Sequence, residues 1–245
     1  MNATAVGKAL VAIALSATVA QAQIIADSRL NFGGSVDLSD AGAAGVTLDF
    51  NPQAILSVGP NTGSFAGILF AQQGTIFDFI AGTGAKPGIP LATFGGYTFN
   101  ITNIAQGTFM QTQCALAPAA SQTCTPPQLP GGPISPFNLA NQTASTSTAS
   151  FLLSGIVTQT STGATAPYEG LFSAQFISGR NALSYQDVLA AVSGGIGSPG
   201  LNGVSFSATF TTGPSTVVPE PSTYVLMATG LLTMLGMSMA RRRRA

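Results

Sequence analysis

Apolar and polar residues alternate with a period of two along much of this 245-residue chain. Val46, Leu48 and Phe50 are interleaved with Thr47 and Asp49, and Tyr97, Phe99 and Ile101 with Thr98, Asn100 and Thr102. Phe172, Ala174 and Phe176 repeat the pattern, as do Phe206, Ala208 and Phe210. An extended backbone points successive side chains to opposite faces, so each run buries one face and wets the other. Further strands are predicted over Ser64–Ala71, Thr75–Ile80 and Ser150–Thr158. Gly, Pro and Asn fall between them, at Gly59-Pro60-Asn61, Gly82–Gly88, Gly95-Gly96 and Gly194–Gly203. Short strands with this punctuation predict a mainly β, sandwich-like domain. One segment departs from period two: Ser184-Tyr185-Gln186-Asp187 has the spacing of a capping box. It predicts one short helix that runs on through Val188–Val192 and stops at Gly194-Gly195.

Both ends of the chain lack the alternation. Residues 1–22 predict a secretory signal peptide, with Lys8, the apolar run Ala9–Ala20, and small residues at Ala20 and Ala22 placing cleavage before Gln23. Tyr224–Ala240 holds no charge over 17 residues and runs into Arg241, Arg242, Arg243 and Arg244. At about 1.5 Å per residue such a helix reaches roughly 25 Å, slightly short of a bilayer core of about 30 Å. Arginine stems that snorkel to the headgroups make up part of the difference. Positive flanks stay on the cytoplasmic side, so the arginines predict a single-pass precursor with its N-terminus outside and C-terminus inside. The exported β-rich domain is then residues 23–216 and the tail residues 217–245.

Pro219-Glu220-Pro221 stands just before that span. The order of Pro-Glu-Pro, apolar helix and terminal arginines resembles the PEP-CTERM sorting signal of exported bacterial proteins. The resemblance covers Val217–Ala245. It implies recognition and processing by exosortase, a membrane enzyme, and a setting among exopolysaccharide and biofilm components. Two prolines remove two backbone donors and hold the segment extended, which suits a processing enzyme at the membrane surface.

Composition narrows the remainder. Charged residues are 7 % of the chain, and there is no His and no Trp. The absence of His excludes Ser-His and Cys-His relays and His-ligated metals. Four of the eight basic residues sit in the terminal run, so no nucleic-acid surface is expected. Between the two signals stand three basic and seven acidic side chains, a net of −4, and Pro87–Tyr168 carries none. Gln111–Ser150, uncharged and rich in Pro, Ser and Thr, predicts a flexible insertion. It contains the chain's two cysteines, Cys114 and Cys124. In an exported protein this pair predicts one disulfide; metal or redox use would want a C-x-x-C spacing.

Few residue patterns in the chain point to chemistry. Asp37-Leu38-Ser39-Asp40 lacks a calcium-loop pattern and reads as a solvated turn. Asp78, among apolar neighbours in Thr75–Ile80, is expected to point outward. No G-x-S-x-G elbow and no phosphate loop occur. No catalytic residue, metal or cofactor is therefore assigned. The reading is an exported, tail-sorted protein of the cell surface or extracellular matrix, not an enzyme, with a processing enzyme, the membrane and exopolysaccharide as partners. Two alternatives stay open: a secreted carbohydrate-active enzyme using paired carboxylates, and an ice- or carbohydrate-binding adhesin, which would want an ordered outward Thr array or exposed aromatics.

Overall fold

The computed structural model describes residues 23–42, 45–127, 134–177, 182–192 and 201–213. Both predicted terminal signals, with Pro219, Glu220, Pro221, the span 224–240 and Arg241–Arg244, lie outside the described residues. Among the described residues no helix is long and apolar enough to cross a membrane.

Twelve strands and one α-helix are formed by the described residues. In chain order they are β1 Arg29–Asp40, β2 Val46–Asp49, β3 Ala54–Ser57, β4 Gln73–Ile76, β5 Phe79–Ala81, β6 Gly84–Phe94 and β7 Tyr97–Ile104. Then come β8 Thr123–Cys124, β9 Asn138–Thr143, β10 Thr146–Gln159, β11 Thr165–Phe176, helix α1 Tyr185–Val192 and β12 Leu201–Thr212. Hydrogen bonds run β11-β12-β1-β3-β4-β6-β7-β10, and β10 pairs back onto β11. The ring closes on itself, and the chain is an eight-stranded antiparallel barrel with extra strands β2, β5, β8 and β9 attached outside it. This corrects the sandwich expectation. Alternation assigns each strand an inner and an outer face, and a barrel satisfies that assignment as well as a sandwich does. The closing pairing of β10 with β11 decides between them.

The walls are unequal. β10 and β11 pair without a break from Ser147↔Phe176 to Thr158↔Thr165, and β12 follows β11 from Gln175↔Ser205 to Tyr168↔Thr212. By contrast, β1 and β3 share Phe32↔Ser57 and Gly33↔Leu56, and β4 meets β6 at Thr75↔Thr93 and Ile76↔Ala92. An interior of eight strands is just wide enough to be filled by side chains, and here phenylalanine fills it. The fully buried Phe32 packs against Phe94, Phe172, Phe206 and Phe210, with the Phe210 centroid 4.9 Å away at 88°. The interior is a packed core, not a channel.

Two glycines make room for the rings. Gly155 lies opposite Tyr168, and a Cβ there would collide with the Asn100 carbonyl and the Tyr168 ring. Gly170 lies opposite Phe210, whose ring would stand 2.6 Å from an added Cβ.

Three local expectations are revised. Ser64–Ala71 is not a strand; Gly63–Phe65 form a 3-10 turn, and the chain then doubles back at Ala71, which has φ 61°. Thr75–Ile80 is broken into β4 and β5 at Phe77-Asp78. Residues 111–150 are no detached insertion, since they supply β8, β9 and the opening of β10. The capping box forms as read: Ser184 Oγ donates to the Asp187 carboxylate at 2.6 Å, and Asp187 N–H donates to Ser184 Oγ at 3.2 Å.

Candidate functional site

The barrel has two unlike ends. One holds the start of β1, the β3–β4 loop, the β6–β7 and β10–β11 hairpins and the end of β12, and is called the exit end here. Its centre is a hydroxyl cluster. Ser28 Oγ donates to the Ile25 carbonyl at 2.7 Å and accepts from Ser64 N–H at 2.8 Å. Thr212 Oγ1 accepts from Ser28 N–H at 3.0 Å and donates to the Ile25 carbonyl at 2.8 Å. Ser64 Oγ accepts from Ile25 N–H, and the Tyr97 hydroxyl donates to the Ser64 carbonyl, both at 2.8 Å. Ser28 and Thr212 are 0 % and 1 % exposed, so these bonds satisfy groups that water cannot reach. The cluster ties the approach to β1 and the end of β12 to the β3–β4 loop.

The opposite, capped end is closed by α1, β8, β9 and the β1–β2 hairpin. Cys114, in the 3-10 turn Gln111–Ala115, is bonded to Cys124 on β8, with Cα atoms 5.1 Å apart. Buried Asn141 organises the cap. Its Oδ1 accepts from Tyr185 N–H at 2.8 Å, its Nδ2 donates to Gln186 at 3.1 Å, and its backbone N–H donates to the Gln122 carbonyl at 2.9 Å. The Tyr185 hydroxyl donates to the Gln113 carbonyl at 2.8 Å, beside the disulfide. Burial raises the phenols of Tyr97, Tyr168 and Tyr185 above the usual tyrosine range, Tyr168 the furthest. A recess of about 270 Å³ opens at this end, walled by Leu38, Leu139, Phe176 and Val188, with Asp40 at its edge.

Three carboxylates accept from backbone. Asp37 accepts from Gly203 N–H at 2.6 Å, Asp40 from Gly42 N–H at 2.7 Å, and Asp78 from Phe50 N–H at 2.8 Å. Asp78 is exposed, as alternation expects. Register sets one acidic pair that sequence spacing does not reveal, Asp37 directly across from Asp49. Asp49 is exposed and Asp37 partly buried. Among the described residues no three His, Cys, Asp or Glu side chains gather as metal ligands.

The outer face of the long wall is rich in hydroxyls and amides. Thr148, Gln175, Ser205 and Ser35 stand in one row across four strands, and Ser150, Ser173 and Ser207 in the next. No single strand has a T-x-T ladder across its whole length; the rows come from register between strands. They lie on a curved barrel wall, not on a flat plane.

The fold is thus a capped β-barrel whose two termini leave from the same end. The tail that follows defines its handling: residues 217–244 match the PEP-CTERM protein-sorting motif. That motif is the mark of exported proteins sorted through exosortase. Comparison with curated proteins and with solved structures gives no match.

Proposed function

We propose that this chain is a non-enzymatic barrel displayed at the cell surface or in the extracellular matrix, delivered by tail processing and held there by exopolysaccharide. The observation that carries the reading is the sorting motif at residues 217–244, which follows almost at once on the last described residue of the barrel, Gly213. Two features of the barrel support the finer parts. Three of its aspartates, Asp37, Asp40 and Asp78, accept from backbone N–H groups of neighbouring turns and strands. Its long wall presents rows of Ser, Thr and Gln with few charges, a surface that exchanges hydrogen bonds with a neutral, hydroxyl-rich polymer at little desolvation cost.

The test is the mass of the protein recovered from the surface and medium of the native cell, alongside a Glu220→Gln variant. The expected mature species begins at Gln23, lacks the arginine tail and co-fractionates with exopolysaccharide. A surface species that keeps Arg241–Arg244 overturns tail processing. A processed species wholly free of polysaccharide overturns the association. Processing of Glu220→Gln like the wild type removes the carboxylate as the recognised group.

A further inference from the structure

We propose that the open groove beside the β6–β7 hairpin, where the pairing of β4 with β6 stops, is a seat for a short stretch of neutral glycan. This rests on the reading that exopolysaccharide holds the barrel, and adds to it a defined site and the charge class of the sugar.

The groove follows from the short wall. β4 and β6 are paired at Thr75↔Thr93 and Ile76↔Ala92. The pairing stops short of the hairpin, and a space of about 440 Å³ opens there. A Cβ on Gly74 would strike the Phe94 ring, so glycine lets β4 settle against that ring. Gly95 and Gly96, at φ 54° and 85°, turn the hairpin without side chains to close the space. A ligand here meets backbone, hydroxyls and amides.

Three threonines form one row across it. Thr75 faces Thr93 on β6, and Thr93 faces Thr98 on β7. Their neighbours Ile76, Phe94 and Tyr97 are buried in the core, so alternation turns the three hydroxyl-bearing side chains outward. Adjacent strands stand about 4.8 Å apart, so the row spans about 10 Å, the length of about two pyranose rings. Gln53, Gln73 and Thr160 complete the rim. The hydroxyls of Thr98 and Thr160 donate to the Thr158 and Gly96 carbonyls at 3.5 and 2.8 Å, so they meet a ligand as acceptors. The side chains of Thr75, Thr93 and Gln73 hold no hydrogen bond among the described residues and can both donate and accept. Sugar hydroxyls do the same, which makes the match. Charge then selects the kind of sugar. No lining residue is charged, and the carboxylate bonded to the rim is Asp78, which accepts from Gln53 Nε2 at 3.2 Å. An acidic sugar would lose hydration with no cation to offset it and would stand near a like charge; a neutral one meets neither cost.

The test passes the full-length chain, in detergent, over immobilised exopolysaccharide from the native cell. The competitors are oligosaccharides released from that polymer by partial hydrolysis and separated by anion exchange into a neutral and an acidic pool. Thr93→Arg and Gln73→Arg each fill the groove, and Gln175→Arg puts the same side chain at an exposed position of the long wall. The neutral pool is expected to displace the wild type. Each groove variant should bind about ten-fold more weakly or worse, the equivalent of about 1.4 kcal/mol, while Gln175→Arg binds as the wild type does. Unfolding midpoints of all three should stay at the wild-type value; if that of Thr93→Arg falls, Gln73→Arg, at an exposed position, decides. A wild-type chain that is not retained overturns the exopolysaccharide reading and this proposal with it. Retention unchanged in the groove variants, or lowered equally by Gln175→Arg, overturns the groove alone. Displacement by the acidic pool as well as or better than by the neutral one, or by neither pool, overturns the neutral ligand.

Discussion

The two ends of the barrel are built from different chemistry. The exit end is closed by short hairpins and by hydroxyls: Ser28, Ser64 and Thr212 join the first and last strands to one loop. The capped end is closed by covalent and amide chemistry, with the Cys114–Cys124 disulfide and the Asn141–Gln186–Gln122 cluster pinning α1 over β8 and β9. At the exit end the tied residues flank or belong to β1 and β12, strands in register from Arg29↔Thr211 to Val36↔Val204. Loosening that end loosens the closed ring. At the capped end the tied residues belong to β8 and β9, which lie off the ring. The exit end is tied into the ring itself, and the capped end is built largely from strands beside it.

The largest break in this contrast is expected from Phe210→Ala. Phe210 is fully buried in the exit half and touches Phe32, Phe99, Tyr168 and Phe172. Removal of such a ring costs about 3–5 kcal/mol, read as a lower denaturation midpoint with protection lost across all eight ring strands. Loss confined to β12 would refute the claim that this region is one cooperative ring.

Replacement of both Cys114 and Cys124 by Ser is expected to cost about 3 kcal/mol or less, since the loop they close is short. Faster hydrogen exchange should then appear in β8, the Gln111–Ala115 turn and α1, while β1 and β12 keep their protection. Equal loosening of β1 and β12 would show the two ends to be one unit.

A cost of similar or smaller size, about 1–3 kcal/mol, is expected from Thr212→Val, which leaves the buried Ser28 N–H without its side-chain acceptor. It should raise exchange in β1 and β12 together. A variant that unfolds like wild type and exchanges faster only at Gln23–Ser28 would remove the structural role given to the exit end.

A pH titration sharpens the same picture. The phenols of Tyr97, Tyr168 and Tyr185 are raised by burial. In the unfolded chain they ionise near their ordinary value of about 10. Above that pH the unfolded state loses protons that the folded state keeps, so stability is full below about pH 10 and falls as pH rises past it. Phenolate absorbance from Tyr97, Tyr168 and Tyr185 that grows only together with unfolding is the expected signature, and free titration of these three in the folded protein would contradict it.

Much of this was legible in the chain alone. Strands with unbroken alternation, such as Tyr97–Ile101 and Phe206–Phe210, read correctly because one face of each is all apolar. The helix at Ser184 read correctly because a capping box is a purely local device. β1 escaped notice because Gly33-Gly34 interrupts its alternation and its register slips between Val36 and Leu38. Ser64–Ala71 misled in the other direction: an apolar run resembles a strand, yet Gly63 at φ 59° and Ala71 at φ 61° bend it into a loop that buries Ile68 and exposes Leu69 and Phe70.

The sequence by itself determined what acts locally or through its own order: period-two faces, the helix cap, the pair of nearby cysteines and the sorting motif at the tail. Tertiary structure decided what depends on partners far along the chain. Alternation says which face of a strand is wet, but not which strand lies beside it. Leu30 meets Phe210, and Asn31 meets Thr209, across about 180 residues of intervening chain. Closure of the ring, the alignment of hydroxyls into rows, the Asp37–Asp49 pair and the gathering of both termini with Leu69 and Phe70 at one end all follow from such pairings. The physical reason is that strand order is chosen by the total burial of the Phe-rich interior, a sum over the whole barrel that no single segment contains.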